Sequence, residues 1–168
     1  MAATAKAVAN RLLDLAERDG KKIDPLQMQK LLYLAEGWAL SVTGESLFRD
    51  PIEAWDYGPV VPIIYQSLRG YGARPITARL GEVVDGEIEP ARGDFTPSQD
   101  RVIQEVWDGY SDWSGPELIN LTHKSGSPWF NVYHGNQPER NGRINRINIK
   151  EWFDDLADDA DKDSQDDF

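Results

Sequence analysis

Few residues in this 168-residue chain have the types and spacing that chemistry requires. The chain contains two histidines, His123 and His134, and no cysteine. A zinc site needs three or four ligands, and neither histidine belongs to a ligand motif such as His-Glu-x-x-His. The absence of cysteine excludes thiolate ligands and cysteine nucleophiles. We therefore predict neither a metal site nor a cofactor site.

Motifs for covalent or nucleotide chemistry are also missing. No serine lies in a nucleophile elbow, and Gly70-Tyr71-Gly72 lacks the third glycine and the following helix of a dinucleotide fingerprint. A catalytic triad assembled in space stays open, with His123 as a general base beside an acid. The structural alternative is a hydrogen-bonded histidine at a helix end. We predict that the chain is not an enzyme and keep a hydrolase-like use of His123 as an alternative.

The charge of the chain restricts its partners. The formal net charge is -11, and residues 154–168 carry -7 of it, from eight aspartates and Lys162. Such a balance repels phosphate, so we expect no direct contact with nucleic acid or with a membrane surface. Residues 157–168 are predicted to be an acidic, disordered tail that aids solubility, or else attracts a basic protein partner.

Length and composition favour one cytoplasmic domain. The length suits a single core, which we place in residues 1–156. The N-terminus lacks the apolar core of a signal peptide, and no run of about eighteen apolar residues occurs. A chain without cysteine fits a reducing compartment.

Hydrophobic periodicity predicts a mainly α, compact single-domain fold of about five to seven helices, with one or two short β elements. The second helix begins at an Asp24-Pro25 cap and is apolar around most of its circumference, so it should be central. Further elements are predicted as helices over 3–18, from Pro59, from Thr96-Pro97, over 116–123, after Ser127-Pro128 and from Asn148, a strand over 52–55 and a hairpin around Asp85-Gly86.

Aromatic residues beside turn formers are the other distinctive pattern. Trp55 and Tyr57 share one side of an extended segment, and Gly58-Pro59 fixes them over the residues that follow. Tyr71 precedes Gly72, and Trp129 follows Pro128. Such aromatics close a core or anchor a protein interface, and the sequence alone leaves both roles open.

Four blocks of the chain together resemble the Panacea antitoxin domain, also called SocA-like. They are KLLYLAEGW at 30–38, PIEAWDYGPVVP at 51–62, GYG at 70–72, and LTH at 121–123 with SPW at 127–129. The blocks occur in the family's order, and the resemblance covers about residues 5–153. Residues beyond Leu156 lie outside it.

This resemblance implies a helical antitoxin of a bacterial or phage toxin–antitoxin pair. Such a domain neutralises a cognate protein toxin, encoded by an adjacent gene, through direct contact. We place the toxin-binding surface near the aromatic turns. The candidate residues are Trp55, Tyr57, Pro59, Val60, Tyr71, Thr122, His123, Pro128 and Trp129.

The resemblance also implies an alternative mechanism. One branch of the family acts as a proteolytic adaptor that delivers its toxin to the Clp protease. The sequence does not decide between occlusion and delivery, and it leaves open whether the chain forms a homodimer.

Overall fold

The fold is mainly helical, as predicted, with seven α-helices and five short strands over the described residues 2–166 of the computed structural model. No helix in that range is long and apolar enough to cross a membrane. The helices are α1 (Ala5–Arg18), α2 (Pro25–Thr43), α3 (Pro62–Leu68), α4 (Pro97–Tyr110), α5 (Gly115–Thr122), α6 (Pro128–His134) and α7 (Arg146–Asp166). The strands are β1 (Glu53–Trp55), β2 (Gly58–Val60), β3 (Gly81–Val84), β4 (Glu87–Pro90) and β5 (Gly142–Arg143), and a 3-10 turn covers Arg69–Tyr71.

Helix α2 is the centre of the core, which confirms the prediction from its composition. It contacts α1, α4, α5 and α7 and both β2 and α3, and every residue from 28 to 37 is buried. Asp24 and Gln27 form a reciprocal capping box at its start. Gly44 ends it in the left-handed conformation, with φ 76°. Helix α7 packs closely on α2 because the Phe153 ring lies where a side chain at Gly37 would be.

Side-chain caps fix the starts of four other helices. Thr4, Thr96, Ser114 and Ser127 each accept a hydrogen bond from a backbone N–H in the first turn that follows. Proline occupies the first or second position after three of these caps, where its missing N–H costs nothing. The helix starts predicted at Thr96-Pro97 and Ser127-Pro128 are therefore confirmed.

A three-stranded antiparallel sheet has the order β2-β1-β5. Ile52 and Ala54 point into the core, as their alternation predicted. Strand β5 carries no hydrophobic pattern and was not predicted, because it pairs with β1 through Glu53 and Ala54 over only two residues. Strands β3 and β4 form the predicted hairpin, with Asp85 and Gly86 at positive φ in its turn.

The prediction that the third helix starts at Pro59 was wrong. Gly58–Val60 pairs with β1 as an edge strand, where proline is tolerated because its missing N–H can face away from the sheet. The helix begins instead at Pro62, its first position.

Helix α7 also differs from its prediction at both ends. It starts at Arg146 rather than Asn148 and continues through Asp166, beyond Leu156, where a disordered tail was expected. A helix nucleated by packing extends at one hydrogen bond per residue. The side chains of residues 158–164 are exposed, so this extension is held by its own backbone rather than by the core. Asp167 and Phe168 lie outside the described residues.

Buried charge connects α2 to α7. The Glu36 side chain has no exposed surface, and its carboxylate accepts from the backbone N–H groups of Leu47 and Phe48 at 3.1 and 3.0 Å. Arg146 donates to the same carboxylate at 3.2 Å and to the carbonyls of Phe48 and Asp50. Burial raises the pKa of Glu36, and the Arg146 guanidinium and the Phe48 N–H oppose that shift.

Candidate partner-binding groove

A groove of about 690 Å³ opens where α2, the β1–β2 turn and α3 meet. Trp55, Tyr57 and Tyr65 form its aromatic wall, and Lys30 of α2 contributes to its floor. Arg69 and Arg140 lie at its rim. We call this feature the Lys30 groove. Its volume is that of a ligand pocket or of a cleft that takes a few side chains of another protein.

The aromatic wall is both ordered and accessible. The Trp55 and Tyr65 rings meet edge to face with centroids 5.0 Å apart, a favoured aromatic geometry. Trp55 Nε1 donates to Glu53 Oε1 at 2.9 Å, which fixes the indole. Tyr57 is 69% exposed and Tyr65 is 47% exposed. The wall therefore presents large apolar surface that the fold itself leaves uncovered.

Lys30 is an unusual floor residue because its side chain is completely buried. Its Nζ donates to the Pro59 carbonyl at 3.1 Å. Burial alone lowers the pKa of Lys30 from 10.5 to about 7, with no carboxylate among the described side chains of residues 2–164 opposing the shift. An ammonium has three N–H donors, and a single carbonyl satisfies one of them.

Gly58 allows the Lys30 side chain to reach this position. Its φ of +109° is a conformation that L side chains rarely adopt. A Cβ there would lie 3.0 Å from both Lys30 Cε and Thr122 Oγ1, and 3.2 Å from His123 Nε2. The conformation and the crowding both require glycine between the lysine and the end of α5.

His123 and Trp129 support the floor from behind. Their rings stack with centroids 3.7 Å apart and an interplanar angle of 5°. Trp129 is 3% exposed, and its Nε1 donates to the Trp55 carbonyl at 2.7 Å, which ties α6 to the aromatic wall. His123 Nε2 is buried and has no hydrogen-bond partner within residues 2–166. Burial and the nearby Lys30 charge lower the pKa of His123, and a contact with the Tyr57 backbone opposes them.

Comparison with known proteins identifies the family of this chain. A family model described as antitoxin SocA-like, Panacea domain, matches residues 28–130. The chain is 34% identical over 137 residues to antitoxin SocA of Caulobacter vibrioides (strain NA1000 / CB15N), covering 78% of this chain and 71% of the relative. The chain belongs to the SocA-like antitoxin family. No solved structure matches it.

The part of this SocA-like chain that matches the family model contains most of the Lys30 groove. The match begins at Met28, two residues before Lys30, and ends at Phe130, after Trp129. It therefore includes the floor, the aromatic wall and the stacked pair behind them. Arg140, at the rim, lies outside it.

The structure divides the predicted toxin-binding residues into two groups. Trp55, Tyr57 and Val60 line the groove, although Tyr57 belongs to the turn after β1 rather than to an extended segment. The others support it or lie beside it. Pro59 accepts from Lys30, Tyr71 is half-buried in the 3-10 turn, Thr122 and His123 lie behind Gly58, and Pro128 and Trp129 are buried.

Trp129 and Pro128 are buried and do not line the groove. The Trp129 indole instead donates to the Trp55 carbonyl and so positions the β1–β2 turn. The sequence pattern of proline followed by tryptophan did not separate a helix cap from an interface anchor, because both use the same residues.

The sequence analysis missed four residues of the Lys30 groove. They are Lys30, Tyr65, Arg69 and Arg140. One signal for Lys30 was present: it interrupts a helix that is otherwise apolar on nearly all sides, which predicts a buried charge. No comparable signal exists for Arg140, which reaches the groove through the fold and pairs with Asp56.

The described residues do not assemble a recognisable reaction centre around His123. Lys30 and His134 are the charged groups that act on its pKa, and neither is the acid that a general-base pair requires. Among the side chains that the structure describes, residues 2–164, no group of three or more His, Asp or Glu is arranged to hold a metal ion.

Proposed function

We propose that this chain is the antitoxin of a toxin–antitoxin pair and that it neutralises its cognate protein toxin by binding it directly at the Lys30 groove. The toxin would be the product of an adjacent gene, and both would act in the cytoplasm. The family membership of the chain supports the antitoxin role. No catalytic step is part of the proposal.

One observation carries the choice of surface. The aromatic wall combines Tyr57, 69% exposed, with Tyr65 and Trp55 at the mouth of a groove of about 690 Å³. Exposed aromatic side chains beside a concavity are typical anchors of protein interfaces, because they bury much area with little loss of rotamer entropy. The wall rests on Trp129 and the β1–β2 turn, so it is preorganised for binding.

Co-expression with the protein encoded by the neighbouring gene tests this proposal. We expect the wild-type chain to restore growth and to co-purify with that protein. Tyr57→Ala should weaken the complex by tenfold or more, because it removes an accessible aromatic anchor.

Ile147→Ala is the matched control. Ile147 is 66% exposed, a fraction similar to that of Tyr57, but it lies on α7 outside the groove. The control should bind and rescue like the wild type. Toxicity that persists without any complex would refute the antitoxin role, and equal effects of the two variants would refute the surface.

A second candidate is the adaptor role, in which the chain delivers its toxin to a Clp-type protease. The exposed end of α7 favours it, since residues 158–164 extend past the core and carry four aspartates. A charged helix without core contacts is suited to docking on a second protein.

Deletion of residues 157–168 separates the two mechanisms. An adaptor should keep toxin binding but lose toxin degradation in cells. An occluding antitoxin should keep growth rescue and leave the toxin's half-life unchanged. Loss of toxin binding itself would contradict both assignments of this segment.

A further inference from the structure

We propose that the Lys30 groove receives a carboxylate of the toxin, from an aspartate or glutamate side chain, and pairs it with the ammonium of Lys30. This inference rests on the proposed function and adds the chemistry of the contact. The occupant is a protein acid inserted between aromatic side chains.

The first argument is the unsatisfied hydrogen-bonding capacity of the floor. Lys30 is completely buried, yet the Pro59 carbonyl is its one acceptor among residues 2–166. Buried polar groups in folded proteins are nearly always paired, and an unpaired ammonium is among the costliest exceptions. An incoming carboxylate would supply both the missing acceptor and the missing charge.

The second argument is the charge of the groove lining. Three basic side chains, Lys30, Arg69 and Arg140, line it with one acid, Asp56. The whole chain carries -11, so this lining has the opposite sign to the rest of the molecule. Asp56 is already occupied, because Arg140 and the Tyr133 hydroxyl both donate to it. The groove therefore keeps a surplus of positive charge for a ligand.

The third argument is the crowding that holds Lys30 in place. Gly58, with φ +109°, leaves room for Lys30 Cε and Thr122 Oγ1 at distances that a Cβ would block. A side chain at position 58 would press on the Lys30 stem, so the glycine keeps that stem in its place at the floor of the groove.

The shape and charge of the surroundings favour a single carboxylate over a polyanion. A phosphate backbone needs a row of basic contacts, and a chain of net charge -11 repels it. The aromatic wall instead suits the apolar neighbours of one acidic side chain, and desolvation between aromatics strengthens an ion pair.

Binding of the full chain to the toxic protein encoded beside it tests the inference. Lys30→Met keeps the length and volume of the side chain and removes its charge. We expect it to weaken the complex at least tenfold, while its denaturation midpoint stays equal to that of the wild type or rises. Lys22→Met, at an exposed lysine outside the groove, should change the dissociation constant less than twofold.

Amide substitutions in the toxin identify the partner of Lys30. Each aspartate is changed to asparagine and each glutamate to glutamine, and every variant is measured against the wild-type chain and Lys30→Met. One position should weaken the wild-type complex by as much as Lys30→Met does, and it should add no further loss in the Lys30→Met background.

The outcomes separate the inference from the proposed function. If Lys30→Met binds like the wild type while Tyr57→Ala weakens binding, the groove is the interface and the carboxylate contact is wrong. If Lys30→Met weakens binding but no acid of the toxin is coupled to it, the ligand chemistry is wrong. If neither variant changes a complex that forms, both the surface and the inference fail.

Discussion

Two charges on the same helix are buried in opposite circumstances. Glu36 and Lys30 both lie on α2, and both side chains are completely buried. The Glu36 carboxylate accepts from two backbone N–H groups and from Arg146. The Lys30 ammonium has one carbonyl and no counter-ion among the described side chains of residues 2–164. One charge is satisfied inside the fold, and the other is not.

We interpret this contrast as the difference between a structural charge and the binding charge that we propose. Glu36 connects α2, the residues before β1 and α7, so the fold supplies everything it needs. Lys30 lies at the floor of a groove with an exposed aromatic wall. A charge that is left incomplete beside a concave surface is available for a partner, whereas a completed one is not.

The largest effect should come from breaking the satisfied pair. Arg146→Met leaves the Glu36 carboxylate buried without its cation, and we expect a loss of about 3–5 kcal/mol in the free energy of unfolding. Urea denaturation measures it. Arg143→Met, at an exposed arginine three residues away, should change that free energy by less than about 0.5 kcal/mol. Equal losses in the two variants would show that Glu36 does not depend on Arg146.

The next effect concerns the glycine beside Lys30. Gly58→Ala combines an unfavourable φ with a Cβ that crowds Lys30 and Thr122, so it should cost about 2 kcal/mol in unfolding free energy. Gly72→Ala, with φ +59° and no neighbour within 4 Å, should cost about 1 kcal/mol from the backbone alone. Gly70→Ala is the control, because Gly70 has neither a positive φ nor a neighbour within 4 Å of an added Cβ. A Gly58→Ala loss no greater than that of Gly72→Ala would contradict the close packing of Lys30.

A third prediction uses pH. The pKa of Lys30 falls from 10.5 when unfolded to about 7 when folded. Between those values the unfolded chain holds a proton that the folded chain has lost, so unfolding takes up a proton. The free energy of unfolding should therefore rise with pH in that window, by at most about 1.4 kcal/mol per unit. This pH dependence should disappear below pH 7, where Lys30 is protonated in both states.

Urea denaturation of the wild type and Lys30→Met at pH 7, 8 and 9 isolates this contribution. Subtracting the two removes the effects of the titrating groups that the Lys30 charge does not influence. The free energy of unfolding should rise more with pH in the wild type than in Lys30→Met. Parallel curves would mean that Lys30 is solvated or paired in the folded chain.

The smallest stability effect should be at the aromatic wall. Tyr57 is 69% exposed and supports nothing in the core, so Tyr57→Ala should change the free energy of unfolding by less than about 0.5 kcal/mol. Thermal melting checks this. A loss above about 1 kcal/mol would place Tyr57 with the structural residues and weaken its proposed role as an anchor.

Sequence reasoning reached those parts of the fold that depend on neighbouring residues. Asp24 with Pro25, Thr96 with Pro97, and Asp85 with Gly86 specify helix starts and a turn through adjacent residues, and each was recognisable. Strand pairing between distant residues was not predictable in this way. At Pro59 the local signals favoured a helix start, but the residue pairs with Ala54 in the sheet. Strand β5 was missed for the same reason.

The candidate site was predictable only in part, because local sequence patterns do not report burial or long-range contacts. Trp55 and Tyr57 were named as candidates because aromatic residues beside a Gly-Pro turn either close the core or anchor a protein interface. Only the tertiary structure separates exposed Tyr57 from buried Trp129. The state of Lys30 depends on Pro59, twenty-nine residues away, and no local pattern reports that contact.

The pKa of Lys30, followed by NMR of the chain carrying ¹³C-labelled lysine, tests the central claim most directly. The account predicts a value near 7 in the free protein and a rise toward 10.5 in the complex with the toxin, as a carboxylate stabilises the ammonium. A pKa near 10.5 in the free protein, or one that stays near 7 in the complex, would contradict it.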